Sequence, residues 1–119
     1  MYMIFSGLFG PKGYENMNVS EAREAIKENR GLLLLDVRTP AEFRTAYIRG
    51  AMLVPISVLP AKLSELEAHK DSVVIVYCAV GGRSASASKF LASQGFSNVF
   101  NMSGGIEAWK RQGFEIEKN

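Results

Sequence analysis

Thiol and imidazole side chains are almost absent from this chain of 119 residues, which has one cysteine and one histidine. A single cysteine excludes a disulfide within the chain. One Cys and one His are also too few for a structural zinc site, which takes about four such ligands. Because a lone free thiol suits a reducing compartment, we expect a cytoplasmic protein.

The chain also lacks a strong charge and a long apolar run. Fourteen basic and 12 acidic side chains leave a net charge of +2, so nothing indicates a nucleic-acid or membrane partner. No apolar run approaches the roughly 20 residues of a membrane-spanning helix. Residues 1–10 are largely apolar but have no basic n-region, and their longest unbroken apolar stretch is five residues. We therefore interpret residues 1–13 as an N-terminal segment and residues 14–119 as one domain.

Short apolar runs alternate with helical patterns along the rest of the sequence. Strands are predicted at 14–17 (an edge strand), 32–37, 52–55, 73–77 and 99–102. Helices are predicted at 21–29, from residue 40, at 60–68, at 84–94 and at 106–112. Ser20 is the expected cap of the first helix, and Thr39-Pro40-Ala41-Glu42 predicts a capping box. The alternation indicates an α/β fold, with a mainly parallel central sheet of about five strands and helices on both faces.

Three polar or glycine-rich points follow predicted strands directly. These are Asp36, Cys78 and the turn at 103–105. If the strands are parallel, all three lie at the carboxyl edge of the sheet, where ligands of such folds bind.

Cys78 opens the segment Cys78-Ala79-Val80-Gly81-Gly82-Arg83-Ser84, and a small-residue helical pattern follows at once. A strand, a glycine turn and a helix start bring backbone N–H groups and the positive end of a helix to one sulfur, which favours the thiolate. Gly81 and Gly82 allow positive φ, so that the N–H groups can turn inward. The segment therefore predicts a thiolate-dependent enzyme.

The two polar residues that end this segment have separate expected roles. Arg83 supplies a planar cation suited to an oxyanion or to the carbonyls of the loop itself. Ser84 can cap the following helix or donate a hydrogen bond to the sulfur. A cysteine that merely filled the core would need neither residue.

Four residues separate Cys78 from Arg83. A thiolate loop for phosphoryl transfer has five, and a shorter loop forms a pocket better sized for one additional sulfur atom. A thiol phosphatase or arsenate reductase remains an alternative. A non-catalytic interaction module, or a carrier of sulfur for a partner, is the other alternative.

Four motifs in this order resemble the rhodanese-like domain family in its single-domain form, over about residues 14–116. They are Asp36-Val37-Arg38 with Glu42-Phe43, then Ile48-Arg49-Gly50-Ala51, the six-residue loop 78–83, and the ending 101–109. Each is weak alone, but their order is specific.

The resemblance implies a sulfurtransferase. Cys78 would take a sulfane sulfur from thiosulfate or a persulfide donor and pass it to cyanide or a thiol acceptor, through a Cys78 persulfide. The backbone N–H groups of residues 79–83 would stabilise the anions. No metal or organic cofactor is implied. Because the chain has no second cysteine, the acceptor must be an external thiol or protein, and we expect a monomer.

Two positions depart from the family pattern. Ala79 stands where many members have a basic residue. Fewer cations at the rim should weaken the attraction for the thiosulfate dianion, which favours a persulfide or protein donor. Tyr47 stands where many have histidine, and we interpret it as structural.

Asp36 and Arg38 are expected to be structural rather than catalytic. We expect them to point to opposite sides of the strand, with Asp36 bonded to the loop or to Ser84 and Arg38 paired with Glu42. Trp109 is interpreted as a core residue.

Overall fold

Five strands form one sheet in the computed structural model, which describes residues 13–119. The strands are β1 (Glu15–Met17), β2 (Leu33–Asp36), β3 (Met52–Leu53), β4 (Val73–Tyr77) and β5 (Asn98–Met102). Their order is β1-β5-β4-β2-β3, and every neighbouring pair is parallel. The predicted parallel sheet is confirmed, with β1 at one edge. The apolar segment 1–10 lies outside the described residues.

Within residues 13–119, three α-helices and two 3-10 helices connect the strands, and a fourth α-helix follows β5. The α-helices are α1 (Val19–Glu28), α2 (Pro40–Thr45), α3 (Gly82–Ser93) and α4 (Gly105–Arg111). The 3-10 helices Ile56–Val58 and Pro60–His69 lie between β3 and β4. The second of these was predicted as a helix at 60–68, and it buries Leu66.

The sheet is covered by apolar side chains on both faces. In β4, Val74 and Val76 belong to one core together with Leu91 of α3. Ile75 and Tyr77 belong to a second core, on the other face, with residues of α1 and α4. A strand buried on both faces reads as a continuous apolar run, which is why β2 and β4 could be predicted without alternation.

The starts of α1 and α2 depend on capping boxes. Thr39 caps α2 as predicted, with its hydroxyl accepting from the Glu42 N–H and the Glu42 carboxylate accepting from the Thr39 N–H. The cap predicted for α1 is wrong, because Asn18 rather than Ser20 caps this helix. Glu21 stands three residues after Asn18 and completes a box, whereas the residue three after Ser20 is an arginine and cannot accept.

The connections between strands show where the order of strand addition reverses across the sheet. From β2 the chain passes through α2 to β3 on one side, and from β4 it passes through α3 to β5 on the other. The carboxyl ends of β2 and β4, which are neighbours, therefore form a topological switch point. Asp36 ends β2 opposite Tyr77, so Cys78 lies one residue beyond this edge.

Between residues 13 and 119, none of the helices combines the length and the apolar character needed to cross a bilayer.

Candidate active site

The sulfur of Cys78 is buried and surrounded by hydrogen-bond donors. The residue is 1% exposed. The Gly81 N–H donates to Sγ at 3.1 Å and the Ser84 N–H at 3.3 Å. The Ser84 Oγ lies 3.3 Å from the same sulfur. The loop therefore turns two amides and a hydroxyl toward one sulfur atom, at the N-terminus of α3.

These contacts favour the thiolate over the thiol. Burial by itself raises the pKa of Cys78, but the hydrogen bonds outweigh it. The Ser84 hydroxyl, the N–H groups of Ser84 and Gly81 and a smaller contribution from Val80 hold the pKa below its ordinary value. The sequence prediction named the N–H groups of residues 79–83, whereas one of the two that donate belongs to Ser84.

The Ser84 hydroxyl has two possible acceptors and only one hydrogen. Its Oγ is 3.3 Å from Sγ of Cys78 and 3.2 Å from the Gly81 carbonyl oxygen. With a protonated thiol, the S–H can donate to Ser84 while Ser84 donates to Gly81. With a thiolate, the hydroxyl hydrogen can rotate to the sulfur. Ser84 can thus serve both charge states without moving its oxygen.

Only one of the two loop glycines adopts the left-handed conformation. Gly81, the cap of α3, has φ +117°, whereas Gly82 is not among the glycines with positive φ. The prediction is therefore right for Gly81 and wrong for Gly82, which instead forms the first residue of α3. The left-handed Gly81 is what turns its own N–H toward the sulfur.

The start of α4 supports the back of the loop. The Ile106 N–H donates to the Cys78 carbonyl at 2.9 Å, and the Glu107 N–H donates to the Ala79 carbonyl at 3.1 Å. Gly105 has φ +62°, and a Cβ on it would overlap the Ala79 carbonyl group. The glycine turn at 103–105 was predicted to lie at the site's edge. Its role in fixing the loop carbonyls was missed, although the adjacent glycines were a signal of close backbone approach.

The guanidinium of Arg83 is directed to helix α2. Its Nη1 and Nη2 donate to the two carboxylate oxygens of Glu42 at 2.8 and 2.9 Å. Within the described residues this pair accounts for its hydrogen bonds, so the expectation that Arg83 binds the loop's carbonyls is wrong. Arg83 lowers the pKa of Glu42 to about 2, despite an opposing effect of burial and with help from Thr39.

Asp36 and Arg38 pair with each other. Nε and Nη2 of Arg38 donate to the Asp36 carboxylate, with Nη2 to Oδ2 at 2.8 Å, and Nη2 also donates to the Ala46 carbonyl at 2.6 Å. Both residues are buried. The predictions that they point to opposite sides, that Asp36 bonds the loop or Ser84, and that Arg38 pairs with Glu42 are wrong. Residues two apart lie on the same side of an extended chain. The Glu42 carboxylate forms its ion pair with Arg83 instead of Arg38.

Tyr47 and Trp109 have the structural surroundings that were predicted. Tyr47 exchanges backbone hydrogen bonds with Glu117, and its ring stacks on Phe43. Trp109 is buried, and its Nε1 donates to the Glu115 carbonyl at 2.8 Å.

A cleft of about 200 Å³ lies beside the loop, between α2 and α4. Its lining includes Ala79 and the charged side chains of Arg38, Glu42, Glu107 and Lys110. Within residues 13–119, no group of three or more His, Cys, Asp or Glu side chains is arranged to hold a metal ion.

A buried cysteine that receives hydrogen bonds from loop amides thus lies at the switch point of a parallel α/β sheet, in surroundings that favour the thiolate. The family model for the rhodanese-like domain matches residues 18–112, and the chain belongs to that family. Both the predicted family and the predicted fold are thereby confirmed.

Three similar proteins illustrate the match. A sulfurtransferase of Allochromatium vinosum is 39% identical over 93 residues, which cover 78% of this chain and 85% of that protein. A thiosulfate sulfurtransferase of Pseudomonas fluorescens is 37% identical over 90 residues, covering 76% and 80%. The crystal structure of a rhodanese-related protein from Thermoplasma volcanium superimposes with a TM-score of 0.79 at 35% identity, covering 89% of this chain and all of that one.

Proposed function

We propose that this protein is a sulfurtransferase in which Cys78 carries a sulfane sulfur as a persulfide. The observation that carries the proposal is the set of contacts at Sγ, where the Gly81 N–H, the Ser84 N–H and the Ser84 hydroxyl meet. A thiolate is the reactive form of cysteine, and preorganised donors stabilise both it and the persulfide anion that replaces it.

The reaction has two displacement steps. In the first, the Cys78 thiolate attacks the outer sulfur of the donor. A new S–S bond forms, and the bond between that outer sulfur and the rest of the donor breaks. The leaving group, sulfite from thiosulfate or a thiolate from an organic persulfide, keeps the bonding electron pair. In the second, cyanide or an acceptor thiolate attacks the outer sulfur of Cys78–S–S⁻, and the Cys78 thiolate is restored. The chain contains no other cysteine, so the acceptor is an external molecule.

The loop residues have distinct parts in this scheme. Gly81 and Ser84 donate to the sulfur, while Ala79, Val80 and Gly82 form the remaining backbone of the loop. Asp36 and Arg38 hold the neighbouring strand end, and Arg83 ties the loop to α2. No metal or organic cofactor takes part in the proposed chemistry.

The relatives named sulfurtransferase and thiosulfate sulfurtransferase support this function. Phosphoryl transfer by a thiol phosphatase or arsenate reductase is disfavoured for two reasons. The spacing between Cys78 and Arg83 is one residue short, and the Arg83 guanidinium is paired with Glu42 instead of facing the sulfur. That the protein is monomeric and cytoplasmic remains a prediction.

The experiment is a turnover assay with thiosulfate or an organic persulfide as donor and cyanide as acceptor, following thiocyanate. We expect turnover by the wild type and none by Cys78→Ser. Ser88→Ala is the matched control, because Ser88 is buried in α3 and its hydroxyl donates to the Ser84 carbonyl rather than to the sulfur. A wild-type protein that transfers no sulfur from either donor would refute the proposal.

A further inference from the structure

Arg83 is the one cation in the segment 78–84 that forms the sulfur loop. Both of its terminal nitrogens are used by Glu42, at 2.8 and 2.9 Å, in a two-pronged ion pair. Such pairs fix the plane of the guanidinium as well as its position. Arg83 is therefore directed to Glu42 in α2, and not to an anion bound at the sulfur.

Glu42 itself is held in place from the other side. Its Oε1 accepts from the Thr39 N–H at 2.9 Å and lies 3.1 Å from the Thr39 hydroxyl. The carboxylate thus belongs at once to the capping box of α2 and to the ion pair with Arg83. If the Arg83 guanidinium turned toward the loop, it would lose its ion pair with the Glu42 carboxylate. If the carboxylate moved with it, the hydrogen bond that caps α2 would break.

The other cations beside the loop are also paired. In the cleft that Ala79 lines, Arg38 is bonded to Asp36 at 2.8 Å, and Lys110 lies 3.2 Å from Glu107. Among the described residues that form the loop and line this cleft, the three cations are matched by three carboxylates. A dianion would therefore meet cations that are already paired, whereas the loop donors suit a single negative charge.

Building on the proposed sulfur transfer, we propose that Glu42 is a positioning residue that sets the donor class. By holding Arg83 against α2, Glu42 keeps the site selective for an organic persulfide and against thiosulfate. With the persulfide R–S–SH, the Cys78 thiolate bonds to the outer sulfur, the S–S bond breaks, and R–S⁻ leaves with the electron pair, giving Cys78–S–SH. With thiosulfate the same step starts from a dianion and releases sulfite, also a dianion.

The test compares the two donors on four proteins: wild type, Glu42→Gln, the double variant Glu42→Gln/Arg83→Gln, and Glu65→Gln. Glu65 is the matched control because it forms an exposed ion pair with Lys62 in the 3-10 helix Pro60–His69. The donors are thiosulfate and glutathione persulfide, the readout is kcat/KM for each, and circular dichroism checks the fold. The donor preference is the ratio of the two values.

We expect the wild type and Glu65→Gln to prefer the persulfide. Glu42→Gln should raise the kcat/KM for thiosulfate about tenfold, mainly through KM, since one released cation contributes on the order of 1 kcal/mol. The gain should fall as salt is added. It should disappear in the double variant, because the released guanidinium is then missing. A loss of helix capping alone would not change the donor preference in this pattern.

Three results would overturn the inference while leaving sulfur transfer intact. One is a donor preference that Glu42→Gln leaves unchanged, and another is a thiosulfate gain that survives in the double variant. The third needs no variant: a wild-type kcat/KM for thiosulfate that falls steeply with salt would mean that a free cation already serves the site. Wild-type protein that accepts sulfur from neither donor would instead refute the proposed function.

Discussion

Ser84 approaches Cys78 with two groups at once, since both its backbone N and its Oγ lie 3.3 Å from Sγ. The two residues are six positions apart, one directly after β4 and the other in the first turn of α3. Among the contacts that the described residues make with this sulfur, the hydroxyl is the donor that a side-chain substitution can remove while the backbone stays in place.

We expect Ser84→Ala to raise the pKa of Cys78. Burial is the largest influence and raises this pKa, and the Ser84 hydroxyl is the strongest of the contacts that oppose it. The rate of alkylation by iodoacetamide, followed against pH, reports the thiolate. The midpoint of this profile should move to higher pH in the variant. At pH values below the midpoint the variant should be alkylated roughly ten- to a hundredfold more slowly than the wild type, which corresponds to the loss of one hydrogen bond to a charged group. Ser88→Ala is the control, and equal midpoints for both variants and the wild type would contradict the assignment.

Gly105 tests the support of the loop by α4. We expect Gly105→Ala to destabilise the protein by more than the roughly 1–2 kcal/mol of a left-handed alanine, because the added Cβ overlaps the Ala79 carbonyl. Gly113→Ala is the matched control. Gly113 has φ +78° with no atom within 4 Å of the added Cβ, so only the backbone penalty applies. Urea unfolding gives both free energies, and equal losses would show that the close approach has no consequence.

The buried pair of Asp36 and Arg38 should be strongly coupled. Asp36→Asn leaves a buried guanidinium without its counter-charge, and Arg38→Met removes the guanidinium donors of the carboxylate and of the Ala46 carbonyl, while the backbone N–H of residue 38 still donates to Asp36 Oδ1. We expect each single variant to lose about 3–5 kcal/mol of unfolding free energy, and the double variant to lose clearly less than the sum. Additive losses in urea unfolding would mean that the two side chains do not stabilise each other.

The Glu42 pair predicts a specific dependence of stability on pH. Glu42 titrates near 4.3 in an unfolded chain, and its pKa is about 2 in the folded protein. A lowered carboxylate pKa adds stability that is fully present above the unfolded value and is lost as pH falls through the folded one. The difference in unfolding free energy between wild type and Glu42→Gln should thus be constant above about pH 5 and shrink toward pH 2.

Because this pair is about one-third exposed, we expect that difference to stay at about 1 kcal/mol or less. Glu65→Gln, which removes the exposed carboxylate paired with Lys62, is measured in parallel as the control. A difference that grew on acidification would have the wrong sign for a carboxylate stabilised by Arg83.

The sheet and the position of the sulfur could be predicted because they depend on local patterns. The runs of β2 and β4 are apolar without interruption, and a cysteine that directly follows β4 and stands three residues before Gly81 has to lie where β4 turns into α3. The cap of α1 could also have been found, since the spacing of Asn18 and Glu21 is that of a capping box.

The ion pairs could not be predicted from spacing. Arg38 and Glu42 are four apart, which suggests a helical pair, but α2 begins only at Pro40 and Arg38 lies outside it. Glu42 pairs instead with Arg83, 41 positions away. That contact exists only because α2 and the sulfur loop meet at the same edge of the sheet, which is a property of the topology.

The most direct test of the central claim is the intact mass of the protein after incubation with glutathione persulfide or thiosulfate and removal of the donor. We predict one added sulfur on the wild type, located at Cys78 by peptide mapping and removed by cyanide. Cys78→Ser should gain none. A wild type that stays at its unmodified mass with both donors, or a Cys78→Ser variant that gains the sulfur, would contradict the account.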